Sequence, residues 1–352
     1  MKKAIGAPLV VVTAALLATA CAEKTSTSSS PLQTPSNVAA SARVAHGVLI
    51  DTASSGLSGT PLSIARSTVL LFFKPTGPTG GSYRCSGTLI KTEEQEKTGE
   101  QAILTAAHCV LDSDAPISTG SNTTYTVNPH YSGDVCFGTI PQVHQSQSAY
   151  AARCHAITHI YVPPNAWINT SHNAEGHIVG DLYNTSVEDV AIVTIAADAN
   201  KIPFNSTENY QSVDVYSGSI KTGDGVYIAG FGITEDPKLG ILGNLYYAPV
   251  DVMGINDKAN YFELGRQFGN NPNKLTSTCS GDSGGPTYYQ TADKKLHVIA
   301  VTAYGSGCGE NPGASQIVSK YALLPNGKEQ IIPEYEWIET KAYLNDLAWP
   351  KN

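Results

Sequence analysis

The sequence has few charged residues and no cluster of basic ones. Asp, Glu, Lys and Arg make up 15% of its 352 residues, and the net charge at neutral pH is −8. Without a basic patch or stripe there is no electrostatic footprint for a phosphate backbone, so nucleic acid is not expected as a partner. Apolar residues make up 41% of the chain, which supplies a sizeable core and excludes wholesale disorder.

Helical periodicity and fixed repeats are also missing over most of the chain. A helical spacing of apolar residues occurs only in EYEWIETKAYLNDLAW, residues 334–349. Elsewhere short runs rich in Val, Ile and Thr, such as STVLLFF, DVAIVTI and LHVIAVTAYG, are separated by turn residues. The pattern predicts an all-β domain, or a pair of them, closed by one C-terminal helix.

The N-terminus has the features of an export signal. MKK supplies positive charge, and the following apolar run is too short and too poorly flanked for a membrane span. Small residues precede Cys21, so residues 1–21 resemble a lipoprotein signal whose cysteine is lipidated and binds the membrane. Ala18 stands where that motif prefers Leu, and an ordinary secretory signal is the alternative. We therefore expect an exported cell-envelope lipoprotein, or else a secreted or periplasmic protein, with residues 22–56 as a Ser/Thr/Pro-rich tether or propeptide.

The cysteine count agrees with this interpretation. The seven cysteines are Cys21, Cys85, Cys109, Cys136, Cys154, Cys279 and Cys308. An odd number in an exported protein leaves one cysteine with a separate role. With Cys21 assigned to lipid attachment, six remain, which is enough for three disulfides in an oxidising compartment, and spacing alone leaves their connectivity open.

The segment TCSGDSGGP, residues 278–286, places Ser283 among glycines. A serine hydroxyl becomes a nucleophile only with a base within hydrogen-bond reach, and the base needs an orienting acid. His108 ends an apolar, strand-like run in LTAAHCV, and Asp189 opens the strand-like DVAIVTI. His108, Asp189 and Ser283, in this order, are therefore the candidate catalytic residues.

Four segments in order, LTAAHC, DVAIV, GFGIT and CSGDSGGP, together resemble the trypsin/chymotrypsin-type serine proteases, and SYRCSGTLI fits the same family. The resemblance extends from about residue 57 to residue 345. It implies a chymotrypsin-like fold of two six-stranded antiparallel β-barrels with a C-terminal helix. The implied barrels are residues 57–205, with His108 and Asp189, and residues 206–352, with Ser283.

The resemblance implies a serine endopeptidase that acts on protein or peptide substrates and needs no cofactor or metal. Ser283 would attack the scissile carbonyl, His108 would take its proton, and Asp189 would orient the imidazole. The N–H groups of Gly281 and Ser283 would form the oxyanion hole. Asp282 would form an ion pair with an N-terminus freed by cleavage.

Two starts are plausible for that freed N-terminus. Val44 follows a basic residue in RVAHG, as tryptic activation requires. Leu57 lies nearer the expected distance from Cys85, but Gly56 precedes it. Both starts stay open.

The family also implies the disulfide pairing. The pairs are Cys85–Cys109, Cys279–Cys308 and, within an insertion, Cys136–Cys154. The histidines of that region match no metal-ligand spacing, so we interpret them as solvated side chains. They are His155, His159, His172 and His177.

The primary specificity pocket can be assigned by counting back from the nucleophile. Ser277 stands at the expected floor with Thr278 beside it, and Gly305 and Gly313 stand at the walls. A pocket for Arg or Lys needs a paired anion, and none stands at the floor. We expect a wide, uncharged pocket that prefers Tyr, Phe or Leu, with Glu310 as the residue that could instead bind a cation.

One departure from the family concerns the catalytic acid. In TAYGSGC, Ala303 replaces the serine that would support Asp189, and Tyr304 replaces the usual tryptophan. One hydrogen bond to Asp189 would be lost, with lower activity. A non-catalytic lipoprotein of the same fold, acting as a binding or adhesion module, is therefore the alternative function.

GDSGG also matches the G-x-S-x-G turn of the α/β-hydrolases. Those enzymes place the acid and the histidine after the serine, whereas His297 is the only histidine downstream here. The alternation of parallel strands and helices is also absent, so we reject this interpretation.

Overall fold

We describe the fold from a computed structural model of the chain. It describes residues 44–50, 57–75, 83–91, 100–110, 131–161, 163, 171–172, 178–179, 188–232, 243–271, 273–305 and 308–339. The predicted signal segment, Cys21 and most of the predicted tether lie outside these residues. Within them, none of the helices combines the length and the apolar character that crossing a membrane needs.

Strands dominate the described residues. The strands are β1 (Val48–Leu49), β2 (Thr68–Pro75), β3 (Tyr83–Ile90), β4 (Gln101–Thr105), β5 (Tyr131–Cys136), β6 (Cys154–Tyr161), β7 (Ser171–His172), β8 (Ile178–Val179), β9 (Ala191–Ile195), β10 (Asp214–Val215), β11 (Ser219–Lys221), β12 (Gly225–Gly230), β13 (Tyr246–Asn256), β14 (Tyr261–Gln267), β15 (Leu275–Thr276), β16 (Pro286–Gln290), β17 (Leu296–Gly305), β18 (Gly313–Ile317), β19 (Tyr321–Leu323) and β20 (Glu329–Ile331). The helices are α1 (Gly59–Ser67), α2 (Ile140–Val143), α3 (Gln147–Arg153) and α4 (Pro333–Glu339), with 3-10 turns at Ala107–Cys109 and Ala199–Lys201. The prediction of an all-β fold is confirmed.

Six strands close into a first barrel in the order β2-β3-β4-β9-β6-β5. β4 and β9 are buried along their whole length and pair in register, with Ile103 opposite Val193. Their runs of Ile, Leu and Val suit a strand that is covered on both sides. Asp189 lies just before β9 and His108 just after β4, so this antiparallel pairing brings the two residues to one end of the barrel.

A second ring consists of β13, β12, β16, β17, β18 and β14, and the pairing of β13 with β14 closes it. β13 is 11 residues long. It can therefore pair with β1 near its start and with β14 near its end. Two six-stranded antiparallel barrels are thus present, as predicted.

A C-terminal helix is present, as predicted. α4 begins at Pro333, a residue suited to the first turn of a helix because its fixed φ is helical and it has no N–H to leave unpaired. Trp337 and Ile338 are buried and belong to the cluster that forms the core of the first barrel. The rest of the predicted helix lies outside the described residues.

Three disulfides join the pairs that the resemblance implied: Cys85–Cys109, Cys136–Cys154 and Cys279–Cys308. The first connects β3 to the turn that carries His108. The second joins β5 to β6, which are strands of the first barrel, so the prediction that this pair lies within an insertion is wrong. The third connects the loop before Ser283 to the loop after β17. Two of the three therefore brace the segments next to the candidate catalytic residues.

Candidate active site

One carboxylate holds both the ring and the backbone of His108. The Nδ1 atom of His108 lies 2.8 Å from Oδ2 of Asp189, and the backbone N–H of His108 donates to Oδ1 at 2.9 Å. Two bonds to one residue fix the plane of the imidazole as well as its position. They leave Nε2 as the ring nitrogen that can accept a proton from a substrate or a nucleophile.

The charge on Asp189 controls the basicity of His108. Burial acts to lower the pKa of the imidazole, but Coulombic attraction and the hydrogen bond to Asp189 raise it by more. The net pKa lies above its ordinary value of 6.5. This is the balance that a general base needs, because the acid stabilises the imidazolium formed when a proton is taken up.

Residues 279–285 form the loop that carries Ser283, which we call the oxyanion loop. Two internal backbone bonds shape it, from Asp282 N–H to the carbonyl of Cys279 and from Gly285 N–H to the carbonyl of Asp282. Gly284 has φ of +76°, and a Cβ there would collide with the Thr105 hydroxyl and the Ser86 carbonyl. Glycine is therefore required where the loop lies against the first barrel.

Ser86, on β3 of the first barrel, bonds to the oxyanion loop in two ways. Its N–H donates to the carbonyl of Ser283 at 2.8 Å, and its hydroxyl donates to the carbonyl of Gly281 at 3.2 Å. The same hydroxyl accepts the N–H of Phe231 at 2.9 Å. Ser86 lies within the quoted SYRCSGTLI segment, but sequence reasoning assigned it no role.

Asp282 is buried beneath the oxyanion loop. Its Oδ1 accepts the N–H of Gly232 at 2.9 Å, and its Oδ2 accepts the N–H of Cys279 at 2.8 Å. Burial raises the pKa of this carboxyl to about 7, against the opposing effect of the two backbone bonds. A Cβ at Gly230 or Gly232 would collide with the Asp282 side chain, which explains the two glycines of GFG.

The four residues assigned to the specificity pocket lie together. Gly305 and Gly313 are opposite each other across β17 and β18. A Cβ on Gly313 would collide with the Thr278 hydroxyl, and one on Gly305 would lie 3.7 Å from the same oxygen, so that hydroxyl lies between the two walls. Ser277 is buried, and its Oγ accepts the N–H of Gly309 at 3.3 Å.

Gln316 is a further polar contact to the candidate catalytic acid that sequence reasoning missed. The backbone N–H of Asp189 donates to Oε1 of Gln316 at 3.1 Å. Ala303 is buried and offers no hydroxyl. Among the described residues, His108 alone forms hydrogen bonds to the carboxylate of Asp189. The only signal in the sequence was a glutamine in the otherwise small and apolar run GASQI.

Residues 44–50 are packed on the second barrel, although they precede the first barrel in the chain. Val44 is buried in the core of the second barrel, with φ of +54°. Ala45 forms a β-bridge with Ser277, and the ring of His46 stacks on Phe268 at 3.7 Å. Leu57, the other predicted start, lies just before α1 and packs against the core of the first barrel.

One group of possible metal ligands is present within the described ranges, formed by Cys85, His108 and Cys109. The two cysteines are joined in a disulfide, so their sulfurs are not available as thiolate ligands. Of the four histidines considered above, His159 lies 3.5 Å from a carboxylate oxygen of Glu100. The side chains of His172 and His177 lie outside the described residues.

The sequence model of the trypsin family matches residues 76–324, which is more than half of the chain. Among curated proteins, none matches this chain significantly. The chain is similar in structure to the protease Anisep from Arthrobacter nicotinovorans, with 12% sequence identity and a TM-score of 0.43. That similarity covers 72% of this chain and 90% of the other.

Proposed function

Because the chain belongs to the trypsin family, we propose that it is a serine endopeptidase that hydrolyses peptide bonds through an acyl-enzyme intermediate. The observation that carries this proposal is the pair of hydrogen bonds, 2.8 and 2.9 Å long, between His108 and the carboxylate of Asp189. Ser86 ties the loop of Ser283 to the same barrel as that pair. The first barrel thus holds the candidate acid–base pair directly and, through Ser86, the loop that carries the candidate nucleophile.

In the proposed mechanism, the hydroxyl oxygen of Ser283 attacks the scissile carbonyl while Nε2 of His108 takes its proton. Asp189 accepts the Nδ1–H of His108 and stabilises the positive ring. The N–H groups of Gly281 and Ser283 donate to the oxyanion. His108 then returns the proton to the leaving amine, and a water molecule repeats the sequence to release the acyl group.

The proposal includes activation by cleavage before Val44. Burial raises the pKa of Asp282 to about 7, and a cation beside this carboxyl would favour its charged form. Val44 is β-branched, and φ of +54° is costly for such a residue in a continuous chain. The packing of residues 44–50 on the second barrel favours Val44 over Leu57, which packs against the first barrel instead.

The pocket contacts support a preference for Phe, Tyr or Leu before the cleaved bond. Its expected floor and side carry the neutral hydroxyls of Ser277 and Thr278, and its expected walls are two glycines that face each other across β17 and β18. Glu310, the residue that could have bound a cation, is exposed. Burial of an apolar side chain would therefore provide the binding free energy.

Export and membrane attachment are part of the same proposal. Disulfides are typical of proteins in oxidising compartments, and three are present. We expect Cys21 to be lipidated, so that cleavage before Val44 would release the catalytic domain from its anchor.

Metabolic labelling with a radioactive fatty acid should mark the wild-type chain and not a Cys21→Ala variant. A mature unlabelled chain beginning at Glu23 would contradict this part.

The decisive experiment is labelling with a fluorophosphonate, which reacts with activated serines. The purified active form should gain one label on the peptide that contains Ser283, and Ser283→Ala should gain none. Heat-denatured protein controls for unspecific reaction. A folded, processed chain whose Ser283 stays unlabelled would favour the alternative function, a non-catalytic binding module.

A further inference from the structure

A buried chain of hydrogen bonds runs from the C-terminal helix to the catalytic acid. Its centre is Gln316 on β18, which is fully buried. Oε1 of Gln316 accepts the backbone N–H of Asp189 at 3.1 Å. Nε2 of Gln316 donates to Oε1 of Glu334 at 2.6 Å and to the carbonyl of Asn260 at 3.1 Å. One amide thus joins the second barrel, α4 and the entrance to β9.

The far end of this chain is also fixed. Glu334 is buried in the first turn of α4 and accepts both Gln316 and the Nδ2 of Asn260. Asn260 has φ of +54°, a left-handed conformation that asparagine tolerates better than most residues. Its Oδ1 accepts Nε2 of Gln330 at 2.8 Å. The amides of Gln316 and Asn260 therefore each have a defined donor side and a defined acceptor side.

The orientation of the Gln316 amide follows from its neighbours. The N–H of Asp189 can only donate, so it requires the oxygen of the amide on its side. The carbonyl of Asn260 can only accept, so it requires the nitrogen on the other side. Reversing the amide would place its NH2 group against the N–H of Asp189 and its oxygen against the carbonyl of Asn260. Donor would then face donor, and acceptor would face acceptor, at the cost of unmade hydrogen bonds in a buried site.

We infer that Gln316 is a positioning residue for Asp189, and that Glu334 and Asn260 hold Gln316 in the orientation this needs. The inference rests on the proposed function, since it assigns Asp189 the role of catalytic acid. Ala303 offers no hydroxyl to the carboxylate. Among the described residues, the hydrogen bond from the peptide N–H of Asp189 to Gln316 is therefore the only hydrogen bond between Asp189 and the second barrel. A small rotation of this residue would lengthen both of its bonds to His108.

The test measures the His108–Asp189 pair directly, in a Ser283→Ala background that needs no turnover. NMR follows the Nδ1 proton and the ring of His108 as pH is varied. With Gln316→Met, which keeps the volume and loses the acceptor, we expect the pKa of His108 to fall by about half a unit to one unit. Asp189→Asn should lower it further.

Gln101→Met is the matched control. Gln101 is also fully buried, and among the described residues its side chain forms hydrogen bonds with Ile90, Ala102 and Ser212 rather than with Asp189. Its substitution should leave the pKa of His108 within about 0.2 units of the parent. An unchanged pKa in Gln316→Met, or an equal shift in both variants, would overturn the inference. If Gln316→Met does not fold, Gln316→Asn, one methylene shorter, makes the same measurement.

The kinetic counterpart uses the activated enzyme with Ser283 restored. Gln316→Met should lower kcat about fivefold to tenfold with little change in KM. The reason is that the hydrogen bond between Asp189 and His108 strengthens only as His108 becomes charged during the reaction. Glu334→Gln keeps an acceptor for Gln316 and should retain activity, whereas Glu334→Ala should behave like Gln316→Met. If no variant, the wild type included, hydrolyses peptides, the proposed function fails, while the NMR comparison still decides the positioning role.

Discussion

The two barrels hold their parts of the candidate site by different means. In the first barrel, one carboxylate is the main support, because Asp189 accepts hydrogen bonds from both the ring and the backbone of His108. In the second, the loop of Ser283 is shaped by glycines and by a buried carboxylate, Asp282, whose described hydrogen bonds are to backbone N–H groups. The candidate acid–base pair thus includes a charged partner, whereas the partners of Asp282 among the described residues are backbone donors. We therefore expect cleavage before Val44 to act on the second barrel and to leave the pair in the first unchanged.

The largest expected effect tests whether the two parts act as a unit. Ser283→Ala and His108→Ala should each lower kcat by about 10⁴-fold or more, and the double variant should be little worse. Single-turnover and steady-state rates on one peptide substrate measure this. Multiplicative losses in the double variant would mean that the two residues act independently.

The next largest effect separates the two barrels. Asp282→Asn cannot accept both backbone N–H groups and cannot pair with a freed N-terminus, so kcat/KM should fall about 100-fold. The pKa of His108, measured by NMR, should stay at its wild-type value. A parallel shift of that pKa would show that the acid–base pair depends on the oxyanion loop after all.

Loss of the Ser86 hydroxyl, which connects the two barrels, should have a smaller effect. Ser86→Ala removes the hydroxyl that connects Gly281 with Phe231, and kcat should fall about tenfold with KM nearly unchanged. Ser212→Ala is the control, because Ser212 is a buried serine whose hydroxyl binds Gln101 instead. Equal losses in both variants would indicate general destabilisation rather than a role at the oxyanion hole.

The sequence predicted the parts of the site that lie in short, contiguous motifs. His108, Asp282 and Ser283 each belong to such a motif, and so do the cysteines of two of the disulfides. Ser86 and Gln316 were missed because their partners are remote: 195 residues separate Ser86 from Gly281, and 127 separate Gln316 from Asp189. No local pattern encodes a contact of that kind; it depends on how the two barrels pack.

The same limit applies to the N-terminal segment. Its composition predicted a tether, and composition contains no information about β1 pairing with β13 or about the burial of Val44. The two barrels, in contrast, were implied by the family resemblance, which rests on the motifs around His108 and Ser283. The apolar runs between turns predicted only an all-β fold. The division of the chain at residue 205 stays a prediction.

The C-terminal helix α4 also contains a carboxyl that should make stability depend on pH. Burial, together with the charge of Glu188, raises the pKa of Glu334 to about 8, above the model-peptide value of 4.5. The folded state therefore holds this proton more tightly than the unfolded state. The resulting stability is fully present below pH 4.5 and is lost as pH rises towards 8.

Glu334→Gln removes this titration while keeping the shape of the side chain. Between pH 5 and pH 8.5 the variant should lose less free energy of unfolding than the wild type, by about 1 kcal/mol or more. Urea unfolding at the two pH values measures the difference. Asp282 has a raised pKa too, so it contributes to the slope of both proteins and cancels in the comparison. Identical slopes would mean that Glu334 titrates normally.

The smallest expected effect concerns the specificity pocket. Matched peptide substrates with Phe, Leu, Arg or Ala before the cleaved bond should give the highest kcat/KM for Phe or Leu, because the proposed pocket has neutral hydroxyls and glycine walls. Glu310 is exposed, and a charge in water contributes little to binding a cation. Glu310→Gln should therefore change kcat/KM for the Arg substrate by less than about twofold. A tenfold preference for Arg that disappears in Glu310→Gln would show that this side chain turns into the pocket when substrate binds, and the second barrel would then supply a charge as well as a shape.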